Sequence, residues 1–339
     1  MKRDECNAGP LFLFQIIYSK SISIMSIYYF CPDYPEPSGG IRRLYFHVEI
    51  LKNEGIDAHI VHFQKDFHLK WFKTNLKPLY LSEGLKFRNS DYVVIPEGLI
   101  QISSQILKSK KILLVLNPQY LFEAVFPEEM FRLMKDHKIV TNSHSISEFI
   151  QWYLSNGDVF TFETGIDENI FYPNLHKNTS QRSIQVAFSK RKDVDSHRAT
   201  LLAKEHLKTL GIELSCVEVG DLPLEEYAAV LRDTNIWLTT SFSHGFPRTT
   251  LEAMACGCLC VGYLSSCALD VVKPDHDFIA ATGGDILNLT RKIVQCAMEY
   301  QTPQMRKIVK NALDTAKKYS EEMEKNNIIS FWKHQLGQT

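Results

Sequence analysis

The feature that most narrows what this chain can fold into is a hydrophobic period that switches repeatedly between strand and helix. SIYYFCP from Ser26, DAHIVHF from Asp57, DYVVIP (91–96), KILLVLNP (111–118) and KIVTNS (138–143) are short apolar runs rich in Val, Ile and Leu. Such runs read as strands buried on both faces, and hence as parallel sheet covered by helices. Helical spacing separates them: IRRLYFHVEILKNEG stops at Gly55, and a second helix is expected from near Ser145 through Glu148 to Leu154. A polar break, FYPNLHKNTSQRS (171–183), interrupts the pattern, which then restarts. IQVAFS, ELSCVEVG, NIWLTTS and CLCVGY read as strands, and HRATLLAKEHLKTLG, LEEYAAVLRDT and TTLEAMACG as helices between them. From Asp285 onward the chain is helical and charged, and its last helix carries Phe331 and Trp332. The expectation is two α/β domains, 25–175 and 176–322, with a terminal helix over 323–339. A crevice between two sets of strand C-terminal ends is where such sheets bind ligands.

Composition narrows the function classes. The 339 residues are 45% hydrophobic and 23% charged, with 38 Lys plus Arg against 39 Asp plus Glu. Enough apolar surface is present to bury a core, which argues against disorder. A formal charge of -1 gives no basic excess for nucleic-acid binding driven by overall charge. No apolar run reaches the roughly 20 residues of a membrane span. Lys2 and Arg3 before LFLFQIIY faintly suggest a signal peptide, but no small-residue cleavage site follows Tyr18. Residues 1–24 read equally as an extension upstream of a start at Met25. Cys256, Cys258, Cys260 and Cys267 crowd into twelve residues of apolar context. Buried small hydrophobes suit them better than disulfides or a zinc centre. The expected compartment is the cytoplasm.

Three places could carry chemistry. Gly39 and Gly40 follow the first strand and precede its helix, where backbone can approach an anionic ligand; a simple turn is the alternative. Ser189-Lys190-Arg191-Lys192 sets three cations at a strand end, suited to phosphate unless they form a solvated loop. SFSHGFPRTTLEAMACG (241–257) turns at Gly245 and starts a helix near Thr249, whose amides could meet a diphosphate. There Thr249-x-x-Glu252 also matches a capping box, which would commit Glu252 to a backbone amide. His244 could equally be a loop histidine bonded to backbone. Glu97, Asn117 and Gln119 lie at strand ends and either line an acceptor pocket or cap loops.

Taken in order, these segments resemble the GT-B glycosyltransferases, and in particular the large retaining family with two glutamates separated by seven intervening residues. HGFPRTTLEAMACG aligns without gaps to that family's EGFGLPPLEAMACG-like signature. PSGGIRRLYFHVEILKNEGIDAHIVH resembles its glycine loop and first helix, and TNSHSISEFIQWYL the segment that ends the acceptor domain. ETGIDENIFYP resembles its interdomain signature, and VAFSKRK stands where an Arg and a Lys hold the donor diphosphate. The resemblance implies two Rossmann-like domains facing a cleft, with the C-terminal helix crossing back to the N-terminal domain. It implies hexosyl transfer with retained anomeric configuration, from a UDP- or GDP-type nucleotide sugar and without a metal or other cofactor. Arg191 and Lys192, with Lys190 beside them, would meet the diphosphate. Glu252 would hold the ribose, and backbone near Val219 and Gly220 the base. Gly39, Gly40, Gly245, Phe246, Pro247, Arg248 and Thr249 would line the donor site. A glycan, a lipid-linked saccharide or a small molecule would be the acceptor, in polysaccharide synthesis for example, with room for peripheral association at the inner membrane face.

The departures are specific. His244 replaces the first family glutamate; neutral, it could bond a sugar hydroxyl, and protonated it would favour phosphate. Arg191 and Lys192 are adjacent, whereas the family spaces its pair. Arg248 adds a cation where an apolar residue is usual. A binding subunit without turnover is therefore a second reading. A metal-dependent transferase using Asp193-x-Asp195 or Asp275-x-Asp277 is a third, although about one such triplet arises by chance in a chain of this kind. Where charge builds on a leaving diphosphate, losing one preorganised donor costs about 3–4 kcal/mol. Arg191→Ala and Lys192→Ala are each expected to cut turnover at least about tenfold without unfolding the protein. Steady-state rates of the two variants test this, and full activity in both would remove the assignment.

Overall fold

The computed structural model describes residues 25–338, apart from 107, 156, 175–181, 191, 192, 221 and 243. Its N-terminal half contains β1 (Ile27–Phe30), α1 (Gly39–Asn53), β2 (Ala58–His62), β3 (Leu79–Tyr80), β4 (Tyr92–Pro96) and β5 (Lys110–Val115). There follow α2 (Pro118–Ala124), α3 (Pro127–Lys135), β6 (Lys138–Thr141), α4 (His144–Leu154) and β7 (Val159–Thr161). The second half runs β8 (Ser183–Ser189), α5 (Ser196–Thr209), β9 (Glu213–Val219), α6 (Leu224–Asp233), β10 (Ile236–Thr239) and α7 (Arg248–Ala255). It continues through β11 (Leu259–Gly262), α8 (Ser266–Leu269), β12 (Ile279–Ala280), α9 (Ile286–Glu299) and α10 (Pro303–Ala316) to α11 (Glu321–Leu336).

Both sheets are parallel, as runs apolar on both faces require. The strand orders are β3-β2-β1-β4-β5-β6-β7 and β12-β11-β10-β8-β9. Each order reverses once, between β1 and β4 in the first sheet and between β8 and β10 in the second. Loops diverge at such switch points and leave a crevice at the strand C-terminal ends. The first falls beside the Gly39–Gly40 turn and the second beside the loops that begin at Lys190 and Thr240. The short edge strands β3, β7 and β12 carry too few residues to show a period. Helices α2 and α3 are not legible from periodicity either. Both have proline in their first turn, where its missing N–H costs nothing.

The chain crosses between domains twice, and the crossings lie side by side. Ile166 N donates to Tyr319 O (2.8 Å), and Glu321 N donates to Ile166 O (3.1 Å). A Cβ on Gly165 would collide with the Ser320 carbonyl, so only glycine allows this approach. Beyond it, α11 returns to the N-terminal domain and buries Ile328, Phe331 and Trp332 in the core formed by β1, α1 and their neighbours. The Trp332 indole N–H donates to Tyr29 Oη (3.0 Å). A second tether is polar. Asp270, after α8, accepts from Ser143 Oγ (2.6 Å), Ser145 Oγ (2.6 Å) and Ser145 N (2.9 Å) at the start of α4.

A buried ion pair locks the returning helix. Arg43 Nη1 donates to Glu324 Oε2 (2.7 Å), and Arg43 Nη2 to Glu321 Oε1 (3.0 Å). Glu324 Oε2 also accepts from Gly165 N (2.7 Å), so one carboxylate joins α1, α11 and the first crossing. Burial by itself would raise the Glu324 carboxyl, but the Arg43 charge, His47 and the Gly165 amide override it and hold it at about 2. A folded value below the ordinary 4.5 means stability that is present above that pH and is lost as pH falls toward about 2. Removing one partner of a buried pair costs about 3–5 kcal/mol. Glu324→Gln is therefore expected to melt well below the native protein at pH 7, with the gap closing as the solution approaches pH 2. Paired thermal melts across that range check both parts, and a gap that does not change with pH would refute the linkage.

Candidate functional site

At the switch point of the second sheet, the loop after β8 starts with Lys190, whose amide donates to Val219 O (2.8 Å). The aliphatic stem of Lys190 lies over Gly220; a Cβ there would sit 3.2 Å from Lys190 Cβ. Lys190, Val219 and Gly220 thus form one cluster at the ends of β8 and β9. Arg191 and Lys192 lie outside the described residues. The loop then ends in Asp193, which organises the start of α5. Its Oδ1 accepts from Ser196 N (3.0 Å) and from Thr240 Oγ1 (2.7 Å), and so ties the loop after β8 to the end of β10. Asp195 Oδ2 accepts from the Tyr263 hydroxyl (2.8 Å). Burial, helped by that bond, pushes the Tyr263 phenol well above its ordinary range. In the other Asp-x-Asp triplet, the buried Asp277 accepts from Lys273 N and Thr315 Oγ1 (both 2.7 Å). These carboxylates are occupied in holding loops. Cys256, Cys258 and Cys260 are fully buried in the core beneath α7 and β11, and no cluster of three metal-ligating side chains occurs among the described residues.

The loop after β10 leads through His244 and Gly245 into α7. Phe246 is buried and packs edge-on to Tyr319 (5.8 Å between ring centroids), which places the loop against the interdomain crossing. Pro247 precedes the first helical residue, Arg248, and no side chain caps the helix. The capping box expected of Thr249-x-x-Glu252 does not form. The Glu252 carboxylate instead accepts from Arg248 Nε (2.9 Å) across one helical turn, the stronger partner for a carboxylate withdrawn from water. The side chains of Arg248 and Glu252 are 14% and 5% exposed, and Arg248 Nη2 is buried with no hydrogen-bond partner among the described residues. Burial, and then the Glu252 charge, push the Tyr227 phenol far up. Tyr227 is thus a neighbour of the site that the sequence pattern does not signal. A small pocket opens beside this loop, lined by Thr239, Ser241, His244, Thr249, Tyr263 and Ser265 among others. Ser241 Oγ is buried there with no partner among the described residues.

The N-terminal domain meets this loop directly. Gly39 and Gly40 begin α1, and Ser38 in front of them makes no capping bond. A Cβ on Gly40 would touch Leu116 Cδ1 at 3.6 Å, and one on Gly245 would run into the Leu116 carbonyl. Leu116, at the end of β5, therefore stands between the two glycine turns and brings them together. The acceptor-pocket residues are engaged in structure. Glu97 accepts from Asn117 N (2.8 Å), and Asn117 Oδ1 accepts from Gln119 N (3.2 Å) as the cap of α2. Gly245→Ala is expected to force the domains apart at this contact while each domain stays folded. Small-angle scattering would then show a larger radius of gyration than the native protein, and an unchanged profile would show that the contact does not set the domain spacing.

Residues 200–315 match the family model described as glycosyl transferases group 1. No curated protein sequence matches the chain. Solved structures similar to it include a glycosyltransferase from Rickettsia africae, 15% identical with a TM-score of 0.67, covering 94% of this chain and 100% of that one. Sucrose-phosphate synthase from Thermosynechococcus elongatus is 13% identical with a TM-score of 0.72, covering 93% and 100%. HepE of Anabaena, solved with UDP-glucose, is 16% identical with a TM-score of 0.64, covering 91% and 100%. At these identities the structures establish the fold, and the family model covers the region that contains α7 and its loop. Fold and family model agree: the chain has the GT-B fold, and residues 200–315 of its second half are similar to the glycosyl transferases group 1.

Proposed function

We propose that the protein is a glycosyltransferase that moves a sugar, most simply a hexose, from a nucleotide diphosphate to a hydroxyl acceptor. The observation that carries this reading is the uncapped start of α7. A helix N-terminus and a buried Arg248 guanidinium, its Nη2 without a partner among the described residues, follow the Gly245 turn that meets the N-terminal domain. That arrangement suits a diphosphate. The solved relatives bound to UDP, to UDP-glucose and to UDP with GlcNAc lend it support. In the reaction, the bond between the anomeric carbon and the diphosphate oxygen breaks, and its electron pair stays on the leaving group. A lone pair of the acceptor hydroxyl forms the new bond at that carbon, and the hydroxyl proton passes to the departing nucleoside diphosphate.

In this reading Lys190, Arg191, Lys192 and Arg248 meet the charge that develops on the diphosphate, where preorganised donors contribute most. Glu252, held by Arg248, receives the ribose hydroxyls. Val219 and Gly220 flank the base. His244 and the pocket beside it take the sugar, with Gly39, Gly40 and Gly245 keeping backbone close on both sides. Retention of configuration and independence from metal follow from the family resemblance. Both Asp-x-Asp triplets favour this over a metal-bridged donor, because Asp193, Asp195 and Asp277 are already spent on loop contacts. A glycan or lipid-linked saccharide acceptor and a cytoplasmic site of action complete the proposal; no helix among the described residues is long and apolar enough to cross a membrane.

A thermal-shift panel of UDP-, GDP-, dTDP- and ADP-sugars in EDTA tests the donor side. At least one nucleotide class is expected to raise the melting temperature, with no further gain from Mn²⁺. A shift that requires Mn²⁺ would favour the metal-dependent reading. Donor binding with no acceptor-dependent release of nucleotide would favour the binding-subunit reading.

A further inference from the structure

Arg42 stands two residues past Gly40 on α1, beside the Arg43 that locks α11. Arg43 takes two of the three carboxylates in the first turn of α11, Glu321 and Glu324. Arg42 is left without a hydrogen bond or ion pair among the described residues, although it is largely withdrawn from water. Burial, and then the charges of Arg248 and Arg43, push its guanidinium below the ordinary arginine range, against the opposing pull of Glu252 and Glu321. Arg42 comes two residues after Gly40 and Arg248 three after Gly245, and both glycines pack on Leu116, so the two cations approach one another from different domains. The nearby α11 carboxylates are committed to Arg43, and Glu252 is bonded to Arg248 Nε, while Arg248 Nη2 is buried and unpaired. Both residues follow the glycine turns that meet at Leu116, and both hold guanidinium donors with no acceptor among the described residues. Unpaired, such charge is costly, and an anion with oxygens for two forks would relieve it.

We propose that Arg42 and Arg248 form an anion-binding site that spans the two domains and takes phosphate or carboxylate oxygens of a substrate. The site rests on the nucleotide-sugar reading for its ligand but not for its existence. Its anion has two sources. One is the donor diphosphate, in which case Arg42 is a binding residue contributed by the N-terminal domain. The other is a carboxylate on the transferred sugar, which the His244 and Arg248 substitutions would favour by making the sugar side of the site more cationic. In either case the anion ties α1 to α7, so its binding favours the closed arrangement in which Gly245 touches Leu116.

Calorimetric titration of the full chain with UDP, UDP-glucose, UDP-glucuronate and inorganic pyrophosphate tests this, for the native protein, Arg42→Gln and Arg42→Lys. Arg42→Gln is expected to weaken binding at least about tenfold, the scale of a lost charge-assisted hydrogen bond, with Lys recovering part of the loss. Arg42→Gln should also flatten the salt dependence of affinity. A uniform loss over all four probes assigns the anion to the diphosphate, and a loss confined to UDP-glucuronate assigns it to the sugar carboxylate. Arg42→Gln within twofold of native on every probe, at an unchanged melting temperature, overturns the site. Native binding of pyrophosphate alone, lost in Arg42→Gln, would keep the site and remove the nucleotide-sugar reading. Native binding of none of the probes would overturn both.

Discussion

The carboxylate of Glu324 is the point on which the arrangement of the domains turns. It is buried, so it must be paired, and its partners come from two stretches of chain outside its own helix: Arg43 and His47 on α1, and the Gly165 amide in the first crossing. Withdrawing such a charge from water is unfavourable unless every lone pair finds a donor. Satisfying it therefore fixes where α11 can lie. With α11 in place, Trp332 and Phe331 close the core of the N-terminal domain, and the crossing at Ile166 is held against Ser320. Domain orientation is then a consequence of bonding between α1, just past the first glycine turn, and a helix 281 positions further along the chain.

That orientation assembles the cleft. Each sheet alone supplies half a site: a switch-point crevice with a loop of unusual backbone freedom. Leu116 is where the halves meet, since it lies beside Gly40 and directly against Gly245. The Asp270 contacts at the start of α4 hold a second point of the same interface. The two cations outside the α11 lock, Arg42 and Arg248, are brought near each other only by this closure.

Much of this was legible before any coordinates. The alternation of apolar runs with helical spacing determines two parallel sheets; residues 175–181 of the expected break at 171–183 lie outside the described residues. The glycine turns and the HGFPRTTLEAMACG segment mark the candidate site because glycine and uncapped helix starts are demanded by close backbone approach. The short strands β3, β7 and β12 were not legible, because two or three residues carry no period. Helices α2 and α3 begin at prolines that read equally as turns. The Thr249-x-x-Glu252 pattern suggested a cap that does not form, because a guanidinium one helical turn away outcompetes a backbone amide.

What the sequence by itself determined is therefore the class of fold and the residue types gathered at the candidate site, since both follow from local period and local chemistry. Tertiary structure alone decided which charges are free and which are spent. Glu97, Asn117, Asp193, Asp195 and Asp277 look available in the sequence and are bonded in the fold. Arg42 looks like an ordinary helix-surface cation and is left beside Arg248 in a cleft. The physical reason is that pairing of buried charge is settled between residues hundreds of positions apart, as between Arg43 and Glu324. No window along the chain contains both.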